Sequence, residues 1–248
     1  MGIITVVTSG KGGVGKSTVS VGLGCALAER GQSVLIVDGD AGLRSLDIIT
    51  GVAGDTVFDL SDIFAGNCEP VRAIYSSPVY PGVSLIPAPV QLQNLCTPDD
   101  LRRLCKGFAR YFDHVIVDCP AGVGEGFETA ARAADRALIV TTPDMVCARD
   151  GAIVGDLLRQ NGISARLVIN RLRATPILKG LTPDVDDIID TVGVRLIGIL
   201  PEDEKVVVAS ANGNPLPRNS TATDGFRNIA ARLLGEQPAL LPLEKLAP

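Results

Sequence analysis

The residues best suited to chemistry lie in one run near the start of the chain, Ser9-Gly10-Lys11-Gly12-Gly13-Val14-Gly15-Lys16-Ser17-Thr18. From Gly10 to Ser17 it fits G-x-x-x-x-G-K-[ST], the spacing of a phosphate-binding loop. Closely spaced glycines let backbone N–H groups close around phosphate oxygens, and a helix N-terminus adds favourable dipole charge. Lys16 is placed to reach β- and γ-phosphates, and the Ser17 hydroxyl to hold Mg²⁺, with Thr18 beside it. Gly10, Lys11, Gly12, Gly13, Val14, Gly15, Lys16, Ser17 and Thr18 are therefore the candidate nucleotide-binding residues. The competing reading is a tight glycine turn that packs a helix on a sheet.

Two acidic strand ends follow. Ser33–Val37 is an apolar run that ends at Asp38-Gly39-Asp40, and Val115–Val117 is another that ends at Asp118. In open parallel sheets, ligand chemistry sits at the carboxyl ends of the strands. Asp118 has the Walker B form, in which the carboxylate accepts from Mg²⁺-bound water or from Ser17. The alternative for all three acids is a helix cap. His114 is the only histidine, at a strand start, and reads as structural. A histidine metal site or a Ser-His-Asp triad therefore has no basis.

These residues need strands and helices to position them. Ile3–Thr8 reads as a buried strand before the glycine loop, and Val19 to Arg30 as a helix stopped by Gly31. Further strands are expected at Val83–Pro87, Asp135–Pro143, Ala165–Arg171 and Leu196–Asp203. Helices are expected over Thr56–Phe64, ended by Gly66, over Pro98–Arg110, capped by Thr97 or Asp99, from Asp144, and over Thr223–Leu234, closed by Gly235. The chain has 248 residues, 46% of them hydrophobic, and no Trp, which suits parallel strands covered by helices. The expected fold is α/β, three layers with a mostly parallel central sheet, in one domain over 1–235 with a tail over 236–248. The net charge of −5 argues against a nucleic-acid partner, whose backbone needs clustered Lys and Arg. The six cysteines have no C-x-x-C pair and read as reduced, mostly buried thiols. No signal peptide and no membrane-spanning run are expected, so the location is cytoplasmic.

Lys11 is a second lysine that an ordinary phosphate loop does not need. Lys11-Gly12-Gly13-Val14-Gly15-Lys16-Ser17 resembles the deviant loop K-G-G-x-G-K-[ST] of the MinD/ParA family of P-loop ATPases. Asp38-Gly39-Asp40-Ala41-Gly42-Leu43-Arg44-Ser45-Leu46-Asp47 is similar to the D-x-D-x-G-L-R-[NS]-L-D loop of its MinD branch, and Asp118-Cys119-Pro120-Ala121-Gly122 to its D-x-P-A-G loop. Cys119 stands where Ser or another small residue is expected. The resemblance runs from Met1 to about Leu234. It implies an ATP- and Mg²⁺-dependent homodimer in which Lys11 reaches across to the partner's nucleotide and Asp40 positions or activates the attacking water. It also implies that Asp38 supports the loop and the Mg²⁺ shell, with Ser17 and Asp118 as the other metal-side residues, and that the Gly122 N–H approaches the γ-phosphate. Asn170 and Arg171 at one strand end, and Pro201 and Asp203 of Pro201-Glu202-Asp203 at another, are implied to flank adenine. Arg149 and Asp150 are implied to lie near the dimer face and partner groove.

The catalytic candidates are thus Lys11, Lys16 and Asp40, in a slow, dimer-activated ATPase that regulates division-septum placement. A MinC-like inhibitor and a MinE-like activator are its implied partners. The family also implies peripheral membrane contact through a basic amphipathic C-terminal helix. Here Pro238 and Pro242 oppose such a helix, and Lys245 is the only cation after Arg232. The alternatives are a related partition or flagellar-placement ATPase, an iron–sulfur carrier using Cys96 and Cys119, and a module that holds ATP without hydrolysing it.

Overall fold

The computed structural model describes residues 1–40, 44–89 and 96–242. Ala41, Gly42 and Leu43 of the first acidic loop, and the tail from 243 onward with Lys245, lie outside the described residues. The strands are β1 (Ile3–Thr8), β2 (Val34–Asp38), β3 (Tyr75–Ser76), β4 (Val83–Ile86), β5 (His114–Asp118), β6 (Arg136–Thr141), β7 (Ser164–Leu172) and β8 (Leu196–Pro201). The helices are α1 (Lys16–Ala28), α2 (Ser45–Ile49), α3 (Leu60–Ala65), α4 (Pro98–Phe108), α5 (Glu125–Ala133), α6 (Met145–Gln160), α7 (Ala174–Leu178), α8 (Val185–Val192), α9 (Glu204–Ala211) and α10 (Thr221–Leu233). Among the described residues the strands form one eight-stranded sheet in the order β3-β4-β2-β5-β1-β6-β7-β8, in which only β3 runs antiparallel, against β4.

The strand sequences dictate the three layers. Side chains alternate across a strand, and each central strand is apolar at nearly every position, so both faces are covered. Ile4 and Val6 of β1, Leu35 and Val37 of β2, and Val115 and Val117 of β5 point into one core, with Leu101 and Phe108 of α4, Phe127 of α5 and Val154 of α6. Val7, Ile36 and Ile116 point into the other, with Val19, Leu23 and Leu27 of α1 and Phe226 and Ile229 of α10. Gly22 lets α10 close on α1, because a Cβ there would lie 2.5 Å from the Phe226 ring.

Several expected boundaries move for local reasons. The helix expected from Thr56 starts at Leu60, because Asp59 and Asp62 form a capping box. A second capping box makes Thr97, not Asp99, the cap of α4, which ends at Phe108. The helix expected from Val19 begins at Lys16, inside the glycine loop. Of the cysteines, Cys105, Cys119 and Cys147 are buried, but Cys25, Cys68 and Cys96 are only half-buried, which corrects the expectation of mostly buried thiols. Past α10 the chain stays on the body. Arg30 pairs with Glu236, Arg232 donates to the Pro238 carbonyl at 2.7 Å, and Leu241 packs against the core.

Candidate nucleotide site

β1 is flanked by β5 and β6, and β5 by β2, so the ends of β1, β2 and β5 meet at the carboxyl edge of the sheet. The glycine loop leaves β1 there. Gly13 and Gly15 have φ of 80° and 94°, a region that glycine enters without steric cost. Gly15 is the N-cap of α1 and no side chain caps that helix. The first-turn amides are thus offered to an anion. Lys16 is only 7% exposed. Gly10 and Gly15 are also tight contacts: a Cβ on Gly10 would lie 2.4 Å from the Asp150 backbone of α6, and one on Gly15 2.5 Å from Asn170 Nδ2.

Below the loop sit the acids. Asp38 and Asp118 are register partners on β2 and β5, 2% and 0% exposed. Ser17 Oγ donates to Asp118 Oδ2 at 2.7 Å and Ser20 Oγ donates to Oδ1 at 2.9 Å. The Asp40 N–H donates to Asp38 Oδ1 at 3.1 Å. Gly39 N–H donates to the Asp118 carbonyl at 2.9 Å, an approach that a side chain at Gly39 would obstruct. Burial pushes the Asp118 carboxyl up to about 6, against the hydrogen bonds from Ser17 and Ser20 and the charge of Lys16. Burial, then the charge of Asp118, raises Asp38 well above the carboxylate range. Two dry carboxylates sharing one place, with a serine hydroxyl beside them, are a hard-oxygen set short of positive charge. A divalent cation such as Mg²⁺ fits it.

The second acidic loop is closed on the first. The Gly122 N–H donates to the Ser9 carbonyl at 2.9 Å, so here it is engaged with the phosphate loop itself. Lys11 is exposed and lies near the start of α6. There, burial raises the Asp144 carboxyl, but hydrogen bonds from Cys147 and Thr142 and the charge of Lys11 bring it below its ordinary value. Asp150 meets the loop through its backbone at Gly10, and Arg149 is exposed on the same helix.

On the other side of the loop, Asn170 is 8% exposed and its Nδ2 donates to the Val14 carbonyl at 2.8 Å. Asn170 and Arg171 fall at an irregularity in the β7–β8 register, and Arg171 has φ of 55°. The expected strand end is therefore a bulge inside β7, which runs on to Leu172. Pro201 pairs with Leu172, and the Glu202 N–H donates to the Leu172 carbonyl at 3.0 Å. Asp203 caps α9, its Oδ1 accepting from the Lys205 N–H at 2.9 Å.

Sequence reasoning missed Ser20, which shares with Ser17 the task of holding Asp118. The signal was there: Ser17 and Ser20 are three apart on one helix face, and a serine pointing at a buried sheet needs a partner. It also missed that Arg44 is the left-handed N-cap of α2, paired with Asp47 at 2.7 Å and Thr56 at 2.8 Å. Cys119 is fully buried, and among the described residues no group of three or more His, Cys, Asp and Glu could hold a metal, so a cation at Asp38 and Asp118 would need Ser17 and further oxygens to complete its shell.

Comparison with known proteins agrees with this geometry. Residues 5–216 match the model of the CobQ/CobB/MinD/ParA nucleotide binding domain. The chain belongs to that family. It is 38% identical to the septum site-determining protein MinD of Bacillus subtilis, over 99% of this chain and 94% of that protein. Among solved structures, the MinC:MinD cell division complex of Aquifex aeolicus superposes with a TM-score of 0.90 at 32% identity, covering 97% of this chain and 98% of that one. MinD of Pyrococcus horikoshii, solved with Mg-ADP, gives a TM-score of 0.84 at 28% identity over 94% of this chain and 96% of that one. The family member described here is a MinD-like P-loop ATPase with a mostly parallel α/β sheet. Among the described residues, no helix is long and apolar enough to cross a membrane.

Proposed function

We propose that this chain is an ATP-dependent dimerising switch that hydrolyses ATP to ADP and phosphate and regulates placement of the division septum. The observation that carries the reading is the packing of Lys16, Ser17, Asp38, Asp40 and Asp118 at the meeting of β1, β2 and β5. In this reading the amides of Gly12 to Thr18 hold phosphate oxygens, and Lys16 neutralises the β- and γ-phosphates. Ser17 and Asp118 hold Mg²⁺, with Asp38 behind them. The cation would supply charge neutralisation between phosphate oxygens. Asp40 orients the attacking water. Lys11, free at the surface, reaches the nucleotide of a second subunit, so full turnover needs the dimer.

Asn170 supports adenine over guanine. One Nδ2 hydrogen is committed to the Val14 carbonyl, which leaves Oδ1 as an acceptor beside the second N–H. That acceptor suits the exocyclic amine of adenine, and the second N–H a ring nitrogen beside it. Arg171 and Pro201 flank the ring, and Asp203 fixes α9 beside it. For the Gly122 N–H to reach a γ-phosphate, its bond to the Ser9 carbonyl must open, which makes the second loop a sensor of ATP over ADP. A MinC-like inhibitor and a MinE-like activator would read the dimer. The place of action is the cytoplasm, with peripheral contact at the inner face of the cell membrane.

The test is phosphate release and sedimentation velocity with Mg-ATP and Mg-ADP. The proposal expects turnover and a dimer with ATP, a monomer with ADP, and neither with Lys16→Ala. A wild-type protein that binds ATP yet stays monomeric and silent would contradict it.

A further inference from the structure

Ser20 holds Asp118 but has no place in the proposed switch. Asp118 ends β5 with its backbone fixed from both sides. It is the register partner of Val7 on β1 and of Asp38 on β2, and its carbonyl accepts from the Gly39 N–H at 2.9 Å. The carboxylate is the part still free to turn, because χ2 of an Asp is broad and has no strong intrinsic preference. Among the described residues, two side chains donate to it, one to each oxygen: Ser17 Oγ to Oδ2 and Ser20 Oγ to Oδ1. The two serines differ in what else they can reach. Ser17 is half-buried in the first turn of α1, beside the uncapped amides that the helix offers to an anion. Ser20 lies about 4.5 Å further along the helix by its rise. It is 0% exposed, and among the described residues its hydroxyl bonds to nothing but Asp118.

We propose that Ser20 is a positioning residue for the cation: its bond to Oδ1 turns the Asp118 carboxylate so that Oδ2 stays beside Ser17, on the side open to ligand. The inference rests on the cation site of the reading above and names what sets its affinity. Ser17 has one hydroxyl for two partners, its lone pairs for a cation and its proton for Oδ2. A hydroxyl shared in this way is a poor anchor for the carboxylate. Ser20 is sealed from the ligand and keeps its bond whether or not the site is filled. Without it, Oδ1 would be buried with no partner, which buried polar atoms seldom are, and the carboxylate would turn to find one. Ser20 thus acts on the cation through Asp118 alone. The phosphate-binding amides and Lys16 do not depend on its hydroxyl.

The test is a fluorescence titration with N-methylanthraniloyl-ADP, first in EDTA and then with rising Mg²⁺. Wild type, Ser20→Ala, Asp118→Ala and the double variant are compared, and circular dichroism reports the fold. Groups that orient a metal's ligands typically carry roughly 10–100-fold in metal affinity, so the Mg²⁺ midpoint of Ser20→Ala is expected to rise by that factor. Its affinity for the nucleotide in EDTA is expected to stay as in wild type. In Asp118→Ala the serine change should add nothing, because the two residues act through one bond. The rise in unfolding temperature that Mg²⁺ gives the ADP complex should shrink in step. Ser20→Cys keeps a weaker donor at nearly the same volume. It should fall between the two, and it carries the test if Ser20→Ala does not fold. A folded Ser20→Ala with the wild-type Mg²⁺ midpoint overturns the inference. Affinity that falls by the same factor in EDTA, or a serine effect undiminished in Asp118→Ala, also overturns it and makes Ser20 a support of the helix. Wild type that binds the nucleotide without any response to Mg²⁺ overturns the cation site itself, and this inference with it.

Discussion

The two sides of the candidate site are built differently. On the phosphate side, the polar groups gather around two buried carboxylates: Ser17 and Ser20 donate to Asp118, the Asp40 N–H donates to Asp38, and the first turn of α1 is uncapped. On the base side, each polar group already has a structural task. Asn170 fastens the glycine loop, Asp203 caps α9, and Arg171 turns a bulge. The first side holds two buried carboxylates short of positive charge, whereas the second is hydrogen-bonded scaffold. Variants on the phosphate side should lose nucleotide chemistry while keeping the fold. Those on the base side should lose stability first, and binding only where the same group also meets the base.

The largest effect is expected for Lys16→Ala. Losing a buried, charge-assisted contact to phosphate removes about 3 kcal/mol, on the order of 100-fold in ATP affinity, with thermal stability unchanged or lowered, because the charge of Lys16 offsets that of buried Asp118. Calorimetric titration checks it. Gly15→Ala tests where the two sides touch. Its Cβ would lie 2.5 Å from Asn170 Nδ2 and its φ of 94° is strained for alanine, so a loss of about 1–3 kcal/mol in stability is expected, and ATP affinity should fall with it. Asn170→Ala leaves the Val14 carbonyl unpaired, at a cost of about 1–3 kcal/mol. It should lower both the unfolding midpoint and the preference for ATP over GTP. A variant of normal stability that no longer discriminates would break the contrast between the two sides. The smallest effect belongs to Asp203→Ala, about 1 kcal/mol in stability from the lost cap, with near-normal ATP binding. A large loss of affinity there would move Asp203 from scaffold to ligand contact.

What the sequence made legible follows the same division. The glycine loop, the strand ends at Asp38 and Asp118 and the alternating core were readable because each depends on a few neighbouring residues whose types allow little else. The role of Ser20 needed the depth of α1 on the sheet. The occupation of Gly122 N–H by the Ser9 carbonyl and of Asn170 by the Val14 carbonyl needed contacts between residues more than a hundred positions apart. The bulge at Arg171 was hidden because Ala165–Arg171 reads as one smooth strand, and only the register with β8 shows the irregularity. The short antiparallel β3 has two residues, too few for a periodic signal.

The central claim is that Lys11, standing apart from the buried network around Lys16, acts only on the nucleotide of a second subunit. The most direct measurement is ATP turnover per subunit against protein concentration, for wild type and Lys11→Ala, with ATP affinity measured alongside. The account predicts equal affinities, a turnover that rises with concentration in wild type, and a flat turnover in Lys11→Ala, lower by on the order of 10³ at saturation if Lys11 works as an arginine finger does. Turnover in Lys11→Ala that rises with concentration as wild type does would contradict it.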